Sequence, residues 1–391
     1  AVEFLKHLNT VFKGRKNGAI LIAEESTAWP MITGDPKDGG LGFDYKWNMG
    51  WMNDFTGYMQ CDPYFRNQHY GELTFSMLYA YSEDFVLVFS HDEVVHGKSS
   101  MLCKMPGETY EEKAANLRTA YGFMYGHPGK KLLFMGQEFA QISEWNENEE
   151  LPWNILEYPL HKSMQDYVTA LNELYRTNPA MYQKDFDEEG FEWINCTSAA
   201  DNIVVFTRKT DKPEETLLFV CNFAPQLHEK LTVGVPFKGK YKEIFNSDAE
   251  KFGGSGKVNP RMKSSKAEEC DGKENSITIQ LAPLGISVFN CTPTEPEKKE
   301  KPAKAKKTTH STKSVKEKAE TDLQSMMTDA AAAFNGKAGG TAAAAAERLA
   351  GISDKLAEAK AGLSSKIISL SSIARRQAGL EEGLDKKVGK E

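Results

Sequence analysis

No stretch of the 391 residues approaches the ~20 uninterrupted apolar positions that a membrane-spanning helix needs. The opening Ala-Val-Glu-Phe-Leu-Lys has neither a basic leader nor an apolar signal core, so membrane insertion and classical secretion are not expected. Cysteine is sparse: Cys61, Cys103, Cys196, Cys221, Cys270 and Cys291 are scattered without a Cys-x-x-Cys spacing, which argues against a zinc ribbon or a disulfide framework. A reducing, cytoplasmic compartment is the simplest expectation. Asn195-Cys196-Thr197 and Asn290-Cys291-Thr292 then read as chance matches to the glycosylation triplet.

Positive charge is scarce in the body of the chain. Thr292 onward holds 19 of the 48 Lys/Arg and 14 of the 55 Asp/Glu, leaving 29 basic against 41 acidic residues upstream. Nucleic-acid binders present basic faces that displace counterions, so this acidic body excludes a polyphosphate partner and suits a neutral or cationic ligand.

What is present is an alternation of elements. The stripe Val2, Phe4, Leu5, Leu8, Val11, Phe12 has helical spacing, and with no initiator Met the chain is expected to begin inside a domain. Gly18 to Ala23 reads as a buried strand, followed by a strand at Leu41 to Tyr45 and helices at Trp47 to Met59 and Leu73 to Tyr79. The strand Phe85 to Ser90, helix Tyr110 to Tyr125, strand Lys131 to Met135 and helix Leu160 to Tyr175 complete about four α/β units, half the eight of a (β/α)8 barrel.

From about Phe186 the period shortens to strands at Phe191 to Cys196, Ile203 to Lys209, Thr216 to Asn222, Lys230 to Val235 and Ser276 to Asn290. The expected fold class is α/β: a partial barrel in residues 1–180, then an all-β sandwich domain in 181–292. Residues 293–391 form a Lys/Pro/Ala-rich tail, disordered to about residue 320, with an interrupted helical seam from Leu349 to Ile373.

Two segments place acids directly after apolar strands: Ile22-Ala-Glu24-Glu25 and Val88-Phe-Ser-His91-Asp92-Glu93. In α/β barrels functional groups sit where strands end, so both acids are expected on one cleft. Glycosyl chemistry uses such a pair, one carboxyl protonating the departing oxygen and another supporting an oxocarbenium-like centre. The bland alternative is that each acid caps the helix behind it. Glu93-Val-Val-His96 resembles part of the zinc-protease H-E-x-x-H motif, but position 92 is Asp, so no metal site is expected. Trp29, Tyr45 and Trp145 follow strands and are candidate sugar-stacking rings, whereas Trp51 and Trp153 read as packing residues.

Ala23-Glu-Glu-Ser-Thr-Ala-Trp-Pro30, Gly40-Leu-Gly-Phe-Asp-Tyr-Lys-Trp-Asn-Met-Gly-Trp-Met52, Ser90-His-Asp-Glu-Val-Val-His-Gly-Lys98 and Leu132-Leu-Phe-Met-Gly-Gln-Glu-Phe-Ala140 together resemble the 1,4-α-glucan (glycogen) branching enzymes of the α-amylase superfamily, over about residues 1–292. The resemblance implies Glu24 as general acid/base, Asp92 as the transition-state-stabilising aspartate and His91 as a hydrogen-bonding partner of the sugar. Glu25 would support rather than react, and Gln137 and Glu138 would shape the cleft. It implies no cofactor and an α-1,4-glucan or glycogen substrate. The family's nucleophilic aspartate lies in a Gly-x-Arg-x-Asp-Ala segment that these 391 residues lack, and is expected upstream of Ala1. Two other expectations stand beside branching: hydrolysis of an α-glucan, as in amylases or debranching relatives, and glucan binding without turnover.

Overall fold

The computed structural model describes residues 1–294; from residue 295 on, the tail expectations lie outside the described residues. The first part comprises α1 (Val2–Gly14), β1 (Ile22–Ala23), β2 (Tyr45–Trp47), α2 (Met49–Gln60), α3 (Tyr70–Thr74), β3 (Phe85–Phe89), α4 (Met101–Lys104), α5 (Tyr110–Gly126), β4 (Lys130–Leu133) and α6 (Pro159–Thr177). The four strands form one parallel sheet in the order β1-β2-β3-β4. Parallel neighbours need a crossover between them, and α2 with α3 and then α4 with α5 fill that role.

The second part contains β5 (Phe191–Ser198), β6 (Ile203–Arg208), β7 (Leu217–Asn222), β8 (His228–Val235), β9 (Gly239–Asn246), β10 (Lys263–Ser264), β11 (Asn275–Leu281) and β12 (Gly285–Pro293). They build a six-stranded antiparallel sheet, β10-β9-β12-β7-β6-β5, and a separate pair, β11-β8. The architecture is a partial α/β barrel followed by an all-β domain, as expected.

The six-stranded sheet has apolar cover on both faces. Val204 and Phe206 of β6 and Phe219 and Cys221 of β7 pack with the helices α5 and α6. The alternate residues Ile203, Val205, Leu218 and Val220 pack with Val233 and Ile277 of the β8-β11 pair. Side chains of a strand alternate faces, so a strand covered on both sides reads as an unbroken apolar run, which Ile203-Val-Val-Phe and Leu217-Leu-Phe-Val-Cys are. Phe206 and Phe219 stack at 5.0 Å across this ladder.

Helix α5 is buried over most of its circumference, from Ala114 to Gly126, which requires apolar neighbours on every side. Its Gly122 and Gly126 let the sheet come close: a Cβ on Gly126 would stand 2.8 Å from Phe206 Cζ, and one on Gly122 2.9 Å from Ile286 Cδ1. Thr109 and Glu112 start the helix with a capping box, the Thr109 hydroxyl taking the Glu112 N–H and the Glu112 carboxylate taking that of Thr109.

The amino edge of the parallel sheet is locked by a buried polar cluster. Asp185 accepts from Arg208 at 2.7 Å, Lys130 at 2.9 Å, Tyr175 Oη at 2.7 Å and the Gly129 N–H at 3.3 Å. Arg208 also donates to the carbonyls of Gly126 and Met181. Burial alone would raise the Asp185 carboxyl, but Arg208, Lys131 and Lys130 outweigh it and hold it at about 2.

Two expectations need correction, and one strand was not expected. Leu41 to Tyr45 is not a strand; β2 begins at Tyr45, because Asp44 turns back to Leu21, its carboxylate taking the Leu21 N–H and its own N–H donating to Leu21 O. The run Ser276 to Asn290 is two strands, β11 and β12, broken at Ala282-Pro-Leu284, where Pro283 has no N–H to give a ladder and Leu284 takes a positive φ. Strand β9 escaped notice because its outward positions carry Lys240, Lys242 and Ile244 between the inward Tyr241 and Phe245.

Candidate functional site

All four strands of a parallel sheet end on one edge, so the segments after β1 and β3 share it. Glu24 follows β1, and Ser90-His91-Asp92-Glu93 follows β3; with β2 between them, the two strand ends lie about 10 Å apart, two interstrand spacings. Phe134 to Glu138 follows β4 on the same edge.

The capping alternative separates cleanly at the second segment. His91–Glu93 is a single helical turn whose start is capped by Ser90, which accepts the Asp92 N–H at 3.1 Å, and by Glu93, which takes the Ser90 N–H. Glu93 is therefore spent, and buried, while the Asp92 carboxylate is half-exposed and, among the described residues, is paired only with His91 Nε2, at 3.4 Å. A Ser-x-x-Glu spacing is a readable capping signature, so the sequence already held the clue that Glu93, not Asp92, is the cap.

The His91 ring sits in an aromatic corner, 5.9 Å from Phe134 and 5.9 Å edge-on to Trp145, with Phe134 and Trp145 5.1 Å apart. The Trp145 N–H donates to Val94 O at 2.8 Å, tying the loop after β4 to the loop after β3. His91, Asp92 and Trp145 are thus brought together.

Glu24 is exposed and has no protein partner among the described residues. Its surroundings are open: Trp29 is itself 50% exposed, and β1 is an edge strand of the parallel sheet among the described residues. Its neighbour Glu25 is engaged instead, accepting from the buried Lys46 Nζ at 2.8 Å and from the Thr27 N–H at 2.8 Å. Burial opposes ionisation there, but these hydrogen bonds prevail and hold the Glu25 carboxyl below the usual range. Lys46 escaped sequence reasoning; a lysine between two aromatics in a strand is its only mark.

Tyr45 is placed differently from the others. It opens β2 rather than following a strand, and its ring lies 5.9 Å from Phe186, towards the amino edge and the Asp185 cluster. Trp51 is buried as expected, whereas Trp153 is half-exposed, with its ring 5.2 Å from Phe139. Gln137 is buried and its Nε2 donates to Ser90 O at 3.4 Å; Glu138 accepts the Gly136 N–H at 2.7 Å. A cavity of about 10 Å³ lies behind these residues, lined by Gln137, Gln141, Met101 and Trp145. That is room for about one water and not for a sugar ring. No cluster of three metal-ligating side chains occurs among the described residues, all six cysteines are unpaired, and no described helix is long and apolar enough to cross a membrane.

Comparison with known proteins follows the same division. Residues 193–292 match the family described as Alpha amylase, C-terminal all-beta domain. The 1,4-alpha-glucan branching enzyme GlgB of Oceanobacillus iheyensis is 50% identical over 289 residues, 74% of this chain and 45% of that protein. GlgB 1 of Clostridium perfringens is 47% identical over 290 residues, 74% of this chain and 43% of that protein. The chain therefore spans less than half the length of these curated relatives. Among solved structures, an Anoxybacillus α-amylase superposes with a TM-score of 0.50 at 16% identity, covering 75% of this chain and 57% of that one. AmyP in complex with maltose gives 0.51 at 11% identity, covering 74% and 61%; both likenesses show the fold alone. The resemblance read from the motifs is borne out: this chain is similar to the C-terminal portion of the 1,4-α-glucan branching enzymes, and its residues 193–292 are similar to the C-terminal all-beta domain of α-amylases.

Proposed function

We propose that residues 1–391 carry part of an α-1,4-glucan branching site, with the division of labour 1–180 for half of the catalytic barrel and 181–292 for the β domain that backs it. Glu24 is the general acid/base, Asp92 the transition-state stabiliser, and His91 a hydrogen-bonding partner of the bound sugar. Trp145 and Trp29 offer stacking faces; Tyr45, turned to the other edge, is the weakest of the proposed sugar contacts. The substrate is an α-1,4-glucan and the compartment the cytoplasm.

The reaction follows from the carboxylates. A nucleophilic aspartate, which no Gly-x-Arg-x-Asp-Ala segment of this chain supplies, attacks the anomeric carbon. The C1–O4 bond breaks as Glu24 gives its proton to O4, and Asp92 engages ring hydroxyls while positive charge builds on the sugar. Glu24, now a base, takes the proton of an acceptor 6-hydroxyl, whose oxygen attacks C1 and displaces the aspartate, making an α-1,6 branch with retained configuration.

The single observation that carries this reading is the shared edge: Glu24 and His91-Asp92 end two strands of one parallel sheet, and Asp92 is left free by a cap made from Ser90 and Glu93. A second reading, glucan binding without turnover by residues 1–391 alone, is favoured by the exposure of Glu24 and by the presence of only two of the three acids. The deciding assay follows iodine staining of amylose and release of reducing ends together. Branching lowers staining without proportional reducing ends, hydrolysis releases them, and binding alone changes neither. Turnover by residues 1–391 alone would contradict the second reading. Proportional release of reducing ends would replace branching by hydrolysis.

A further inference from the structure

Beside Asp92, the chain leaves the buried Val94 and runs through a loop from Val95 to Ser99 that has little of its own to hold it beyond one turn, the Lys98 N–H donating to Val95 O at 3.0 Å. His96, Gly97 and Lys98 are exposed, and both Gly97 (φ 81°) and Ser99 (φ 67°) are left-handed, a conformation a serine seldom adopts unaided. Burial cannot define the shape of such a loop, so something else must.

That something is one carboxylate from the far loop. Glu144 Oε2 accepts the Gly97 N–H at 2.9 Å, and Oε1 accepts the Ser99 N–H at 2.6 Å. These same hydrogen bonds hold the Glu144 carboxyl below its usual range, so it is charged at neutral pH. His96 Nδ1 lies 3.7 Å away and Lys104 donates to Lys98 O on the other side of the loop. The segment bearing Glu144 is itself ordered by Gln141, whose Nε2 donates to the carbonyls of Ser143 at 3.0 Å and Glu144 at 3.4 Å. The next residue, Trp145, gives its N–H to Val94 and its ring to His91.

We propose that Glu144 is a positioning residue of this site: its carboxylate latches the Val95–Ser99 loop to the loop after β4 and so sets the relative placement of Asp92, His91 and Trp145. It touches no sugar. The inference rests on the proposed glucan site only for its functional consequence; the latch itself is a statement about geometry. Because the loop buries so little, the latch governs the shape of the site and contributes little to the stability of the fold.

The test uses residues 1–391 and the variants E144Q and E144D. Gln offers one oxygen where two N–H groups point, so amide hydrogen exchange at Gly97 and Ser99 should accelerate at least about tenfold in E144Q, with Leu87 and Val88 of β3 and the Tm unchanged. The Trp145 indole resonance should shift. E144D keeps the charge with shorter reach and should restore protection at one of the two amides. Maltoheptaose should bind E144Q about tenfold more weakly than the unmodified chain. Unchanged exchange at Gly97 and Ser99 overturns the latch, as does faster exchange spread over β3, which would make the residue merely structural. If the unmodified chain does not bind maltoheptaose, the glucan reading fails while the exchange data still decide the latch. A folded E144Q with faster loop exchange and undiminished binding would sever the latch from function.

Discussion

The two edges of the parallel sheet are built on opposite terms. At the amino edge the buried Asp185 and Arg208 exchange hydrogen bonds with each other and with the partly buried Lys130 and Tyr175, joining β4, β6 and the end of α5 into one body. At the carboxyl edge, among the described residues, Glu24 is exposed and without a hydrogen-bond partner, Asp92 is half-exposed beside His91, and the loops are tied by a few hydrogen bonds. Hydrogen-bonded charges gather at one end of the strands and the acids of the proposed site at the other. A carboxylate satisfied by the protein has little left for a substrate, so the division is what a site of this kind requires.

The comparison breaks if changes at the amino edge alter binding, or if changes at the carboxyl edge alter stability. Asp185→Ala leaves the buried Arg208 without its counter-charge and the partly exposed Lys130 without its partner, and should cost about 3–5 kcal/mol in denaturant unfolding, with maltoheptaose binding preserved in the folded fraction.

Acid should undo the same end. Burial holds the His127 imidazole neutral, its pKa pushed down from 6.5 to about 3, with Ser76 against one nitrogen at 2.9 Å and Pro128 O at 2.8 Å from the other. The unfolded chain takes up that proton below 6.5 and the folded one does not, so stability is full above 6.5 and falls by up to about 1.4 kcal/mol per unit below it. The depressed Asp185 adds a further loss between 3.8 and about 2. Chemical denaturation from pH 8 to 4 should therefore show a monotonic decline, and a His127→Gln variant a shallower one.

A smaller effect is expected where the helix meets the sheet. Gly126→Ala drives a methyl against Phe206 and Phe219 and should cost about 1–3 kcal/mol, read as a lower Tm with no change in maltoheptaose affinity. The smallest stability effect belongs to the other edge: Asp92→Ala should leave the Tm within experimental scatter, since its carboxylate is half-exposed and only loosely paired with His91, while weakening maltoheptaose binding about tenfold.

Much of this was legible in the sequence, for physical reasons that differ by region. The runs at β3, β6 and β7 were plain because burial on both faces leaves no polar interruption. Helix α5 was read over Tyr110 to Tyr125 from the apolar side of Ala114, Leu117, Ala120 and Tyr121, and the Thr109-x-x-Glu112 cap is a start signal the reading passed over. Strands β1 and β2 were harder: they are two and three residues long, and hydrogen bonds from Asp44 to Leu21 fix their ends, which no periodicity records. The positions of Glu24 and Asp92 after strands could be read because a parallel sheet converts sequence position into spatial edge. What supports them could not be read. Lys46 beneath Glu25 and Glu144 across from Gly97 are pairs 21 and 47 residues apart, and charge alone does not say which lysine meets which acid.

The central claim is that Glu24 and Asp92 face one glucan. A crystal structure of residues 1–391 with maltoheptaose tests it most directly. The account predicts a single oligosaccharide on the carboxyl edge with oxygens within hydrogen-bond reach of both carboxylates and a sugar beside His91. A sugar seated elsewhere, or one that meets only one of the two acids, would contradict it.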